Sequence, residues 1–87
     1  MKLVFAEPAA KMIAKLPSAT ARRIVKKMHW FAAHNDPLSF AKPIEDNRFG
    51  EYRFRVGDYR VFVEVKRKTI AVFVVLAVRH RKDAYRL

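Results

Sequence analysis

Eighty-seven residues, 52% of them hydrophobic, make one domain spanning 1–87 with a single modest core and argue against disorder. Lysine and arginine number 19 against eight acids, and a formal charge of +11 points to a polyanionic partner: nucleic acid, ribosome or anionic membrane. The lack of cysteine excludes disulfides and thiolate metal sites, and the apolar stretches at Leu3–Ala6 and Ile70–Val78 are too short for a signal peptide or a membrane span, so a cytoplasmic location is expected.

The opening "KLVF" reads as a short strand that stops at Glu7-Pro8, with Pro8 suited to the first turn of a helix. Ala9, Met12, Ile13 and Leu16 then keep the spacing of one buried helical stripe. Pro17 ends that helix, and Ser18 is the expected N-cap of the next. In the second helix Ala21, Ile24, Val25, Met28, Phe31 and Ala32 repeat the stripe, so the two should form an antiparallel hairpin. No acid lies between Pro8 and His34. A solvated face is the default for charge, but a face of mixed sign would supply i, i+4 ion pairs, and this one forgoes them. Arg23, Lys26 and Lys27 are therefore candidates for contact with a phosphate backbone.

Residues 35 to 50, "NDPLSFAKPIEDNRFG", read as a loop crossing to a sheet. The period then switches to two: "EYRFRV", "YRVFVEV" and "TIAVFVVLAV" are strands, the last apolar on both faces as a covered central strand would be. The order β-α-α-β-β-β predicts an α+β domain with helices over one face of an antiparallel sheet.

Gly57-Asp58 between two alternating runs predicts a two-residue hairpin turn with Gly at the position of positive φ. Val56 then pairs with Tyr59, Arg55 with Arg60, Phe54 with Val61, and Arg53 with Phe62. Tyr52, Phe54, Val56, Tyr59, Val61 and Val63 share the face that should meet the helices; Arg53, Arg55, Arg60 and Phe62 share the other. Two like charges about 5 Å apart repel by ~1 kcal/mol even in water. Arginines splayed into solvent are one reading. The other is a phosphate-binding floor, because all three positions carry the planar donor that grips phosphate bidentately, with Phe62 as a stacking surface.

"YRFRVGDYRVFVEV", the strand "IAVFVVLAV" and the closing "RHRKDAY", behind a helical hairpin bent at "KLP", together resemble the RelE/ParE toxin superfamily of bacterial and archaeal type II toxin–antitoxin systems. The resemblance spans nearly the whole chain and implies the RelE-like α+β fold. RelE-like members are endoribonucleases that cut messenger RNA, many of them in the ribosomal A site. It further implies attack of the RNA's own 2′-hydroxyl on the adjacent phosphate, with no metal and no cofactor. On this resemblance Arg53 and Arg55 bind RNA and stabilise charge, and Arg60 meets the scissile phosphate. Arg81 stands near the leaving group, and Tyr85 orients or activates the 2′-hydroxyl. Lysines stand in some relatives where this chain has Arg53 and Arg55, so those two should act electrostatically here. A phenol of ordinary pKa about 10 among cations would be drawn toward working pH.

The partners implied are an acidic antitoxin, messenger RNA and ribosomal RNA, with operator DNA reached through the antitoxin. Two other readings use the same residues: a ParE-like inhibitor of DNA gyrase without nuclease activity, and a non-enzymatic or degenerate nucleic-acid-binding toxin. His80, on an extended segment, should point opposite to Arg81 and away from the floor. His29, His34 and His80 make no metal site. Trp30 is either covered by the 35–50 loop or left as a stacking contact. Arg79 departs from the glycine frequent at that place in the family.

Overall fold

The computed structural model describes residues 1–45, 50–67 and 71–83. In chain order it contains β1 (Lys2–Phe5), α1 (Glu7–Ala14), α2 (Ser18–Ala32), a 3-10 turn (Pro37–Phe40), β2 (Ala41–Pro43), β3 (Tyr52–Val56), β4 (Tyr59–Arg67) and β5 (Ala71–His80). The strands form one sheet in the order β1-β5-β4-β3-β2. The expected α+β architecture is present, with strand pairs antiparallel except for β1 with β5. Both helices join the main core on one face, and α1 also reaches the other through Met12, which packs against Phe62 and Ala77. The parallel β1–β5 pair sets Leu3 opposite Phe73 and Phe5 opposite Val75. It leaves the apolar β5 inside the sheet, where a strand with two hydrophobic faces belongs.

Two local expectations need correction. Ser18 is not the cap of α2: Pro17 holds that position at φ −53° and ψ 140°, with no side-chain capping bond, and Ser18 begins the helix. The proline ring already fixes an extended approach to the first turn, so no hydroxyl is needed to set it. The 35–50 stretch is not all loop either. Ala41, Lys42 and Pro43 pair with Phe54, Arg53 and Tyr52. Pro43, which cannot donate to a ladder, is tolerated because β2 is an edge strand.

The main core joins Ala9, Ile24, Met28, Phe31 and Ala32 of the helices to Phe54, Val56, Val61, Val63, Phe73, Val75 and Val78 of the sheet. Phe54 is its centre, 4.8 Å from Phe31 and 5.5 Å from Phe73 between ring centroids. Ala21 and Val25, expected in the stripe, are only half-buried.

One irregularity bears on the site. Phe62 pairs with Ala77 but Val63 pairs with Val75, so Leu76 is an extra residue in β5, a β-bulge. Val75 and Val78 consequently both reach the helix-side core, and Ala77 and Arg79 fall on the opposite face. Gly50 (φ +116°) passes this seam so closely that a Cβ would lie 2.6 Å from the Val63 carbonyl oxygen.

Candidate functional site

The β3–β4 hairpin has the register read from its alternation: Val56 with Tyr59, Arg55 with Arg60, Phe54 with Val61, Arg53 with Phe62. Gly57 alone in the turn has positive φ, +57°, as a turn with glycine first requires. A Cβ there would also lie 2.9 Å from the Arg23 guanidinium, which α2 lays against the turn.

On the face opposite the main core, Lys42, Arg53, Arg55 and Arg60 line a cleft of about 320 Å³, and Phe40 forms its wall. Of these cations, Arg60 is anchored to the backbone. Arg60 Nη1 donates to the carbonyls of Gly57 and Tyr59, both at 3.1 Å, which turns that guanidinium toward the hairpin end. Arg60 also stands directly opposite Arg79 on β5, so Arg55, Arg60 and Arg79 form one row across three strands. Arg79 was not assigned to the floor from the sequence; only the bulge at Leu76 gives it that phase. Lys42 and Phe40 were missed as well, because both lay in the stretch read as loop.

Phe62 is the reverse case. It lies on the cleft face, as its register requires, but is 2% exposed and packs with Ala77, Met12 and Ile44. A ring so covered offers no face for a base, and among the described residues the exposed aromatic of the cleft is Phe40, at 41%.

The other site residues are dispersed. Arg81 lies beyond the end of β5, where its backbone N–H donates to the Asp58 carbonyl (2.7 Å) and its Nε is 3.8 Å from Asp58 Oδ1. It therefore stands at the hairpin turn, outside the cleft lining. His80 faces the helix side as expected, its ring 5.3 Å from Tyr59 and its Nδ1 accepting the Lys82 N–H at 3.3 Å. Arg23, Lys26 and Lys27 border a shallow groove on α2 with Trp30. Lys27 Nζ sits 3.9 Å from the Trp30 ring centroid, and Phe40 of the 3-10 turn meets the same ring at 5.3 Å. Trp30 is nevertheless 46% exposed, so the loop braces it without covering it. Tyr85 lies outside the described residues.

Chemically, the cleft can neutralise and orient an anion. Planar guanidiniums grip phosphate oxygens two at a time, and donors fixed before the reaction stabilise charge developing on them. Among its described lining residues Lys42 alone could exchange a proton, since guanidiniums stay charged.

Three solved structures resemble the chain. The toxin–antitoxin complex RelBE2 of Mycobacterium tuberculosis matches with a TM-score of 0.73 at 25% identity, covering 92% of this chain and 96% of that one. The archaeal RelE–RelB complex of Pyrococcus horikoshii matches at 0.71 and 26%, covering 95% and 97%. The RelB–RelE antitoxin–toxin complex of Methanococcus jannaschii matches at 0.63 and 26%, covering 95% of each chain. A search of curated proteins gave no match. The family model described as the ParE toxin of type II toxin–antitoxin systems matches residues 3–85, and the chain accordingly belongs to the ParE toxin family, within the RelE/ParE superfamily.

Proposed function

We propose that this toxin is an endoribonuclease that cuts messenger RNA on the ribosome, in the cytoplasm, without a metal. The observation that carries the reading is the cleft in which Lys42, Arg53, Arg55 and Arg60 converge beside the exposed ring of Phe40. In such a reaction the 2′-hydroxyl oxygen attacks the adjacent phosphorus, the 5′-oxygen of the next nucleotide leaves, and a 2′,3′-cyclic phosphate remains. The proton lost by the hydroxyl goes to a base, and the leaving oxygen takes one up. Arg60 and Arg55 would hold the non-bridging oxygens as charge grows on them, each fixed donor contributing about 10²–10³ in rate. Arg81, at the rim, would serve the leaving group. Tyr85 would act on the 2′-hydroxyl, where a positioned base adds about 10²–10⁴.

A cognate antitoxin is part of the proposal. The similar structures are toxin–antitoxin complexes, and a chain with a formal charge of +11 suits an acidic partner. Operator DNA would be reached through that partner.

A second reading is inhibition of DNA gyrase without nuclease activity. It is favoured by the ParE family model and by the scarcity of proton-exchanging groups in the described cleft lining. Purified protein added to translating ribosomes, with message ends mapped, separates the two when a gyrase supercoiling assay is run beside it. The nuclease reading expects ribosome-dependent cuts that disappear with Arg60→Ala and Arg81→Ala. Intact message with supercoiling inhibited would replace it by the gyrase reading.

A further inference from the structure

Phe40 is the last residue of the 3-10 turn and directly precedes Ala41, which pairs with Phe54. That step puts Phe40 one residue beyond the Ala41–Phe54 pair, beside the edge strand of the sheet. The ring is fixed by its neighbours: its centroid lies 5.3 Å from Trp30, 5.2 Å from Phe31 and 4.9 Å from His34. It is still 41% exposed, and it walls a cleft whose other lining residues are cations. A lone exposed phenylalanine is ordinary on a protein surface. A braced ring beside a cleft lined by three arginines and a lysine is a more particular arrangement.

We propose that Phe40 is a nucleobase platform: when Arg53, Arg55 and Arg60 hold a phosphate of a single strand, the base of an adjoining nucleotide stacks on the Phe40 ring. The inference rests on the nucleic-acid reading given above and adds a subsite to it. Non-specific single-strand sites combine cations that track the backbone with rings that take bases, and every base has a face to offer. Charge and ring here adjoin within about 320 Å³, the lower end of the usual range for a ligand pocket. That space is of the order a single nucleotide needs. The Phe40 and Trp30 rings are tilted by 58°, so parallel successive bases cannot lie on both. The platform therefore takes one base, and the ligand it suits is a single strand, whose bases are free to leave the stack.

The chain's single tryptophan, Trp30, reports on the neighbouring ring. Its fluorescence is followed while a short 2′-O-methyl oligonucleotide, which cannot be cut by 2′-hydroxyl attack, is added. The same titration uses an abasic sugar–phosphate oligomer of equal length. The expected result is tighter binding of the base-bearing strand, weakened roughly 5- to 150-fold by Phe40→Leu, with abasic binding unchanged. Arg55→Ala should weaken both strands and lower the slope against log salt by about 0.7 if it removes one phosphate contact. Should Phe40→Leu fail to fold, ring-proton shifts of Phe40 in the unaltered protein replace it, moving with the base-bearing strand and not with the abasic one. Equal binding of both strands, lost only on Arg55→Ala, would overturn the platform and leave the phosphate floor standing. Binding of neither strand would overturn both. Preferential binding of a Glu- and Leu-rich peptide, sensitive to Phe40→Leu, would overturn the platform in favour of a protein partner at this ring.

Discussion

The two faces of the β3–β4 hairpin are built from alternate residues of the same few strand positions, yet they obey different physics. Phe54, Val56, Val61 and Val63 are buried under the helices and act through volume. Arg53, Arg55 and Arg60, each one residue away, line a cleft in which like charges are gathered. The covered face secures the domain by removing apolar surface from water, and the open face sets like charges on neighbouring positions, where a bound anion would lower their repulsion. With the exception of Phe62, buried on the cleft side, substitutions on the covered face should act on stability and those on the open face on anion binding.

The largest stability change should come from the covered face. Phe54→Ala empties the centre of the ring cluster with Phe31 and Phe73 and should cost about 3–5 kcal/mol in urea unfolding, against about 5–15 kcal/mol for a whole domain. The open face should give the opposite pattern. Arg55→Ala should leave unfolding within ~1 kcal/mol of the parent, on either side because repulsion is relieved, while RNA cleavage falls about 10²–10³-fold. A variant that lost several kcal/mol and kept its activity would break the division between faces. Gly50→Ala tests the seam beside the bulge. A side chain there meets the Val63 backbone at an unfavourable φ, so a loss of at least ~2 kcal/mol is expected in the same unfolding measurement. Asp58→Ala should do least. Its ion pair with Arg81 spans 3.8 Å between exposed groups, a type worth under ~1 kcal/mol, so the urea midpoint should barely move.

Much of this layout was legible in the sequence because periodicity is a strong signal. The alternation around Gly57-Asp58 gave the hairpin register pair by pair, and the apolar stripes marked the helices that cover it. What stayed hidden was whatever periodicity does not encode. A three-residue edge strand ending in proline has no pattern of its own, so Lys42 and Phe40 were not seen to reach the cleft. The run "AVFVVLAV" is apolar at every position, so the extra residue at Leu76 left no trace, and the side of Arg79 could be had only by alternation from His80. Phe62 was placed on the correct face, but burial from above depends on packing that strand parity does not specify. Tyr85 and its assigned role lie outside the described residues.

The bulge at Leu76 has a further meaning for how such a cleft could diversify. Beyond it, Arg79 faces the cations and His80 faces Tyr59 and the helices. Deletion of Val78, with the bulge retained, would shift both by one place: the guanidinium would stand opposite Val61 on the core side and the imidazole opposite Arg60 on the cleft side. Strand phase thus works as a selector between a permanent charge and a proton carrier, and one codon lost could change the kind of chemistry the floor offers without altering any of its other residues.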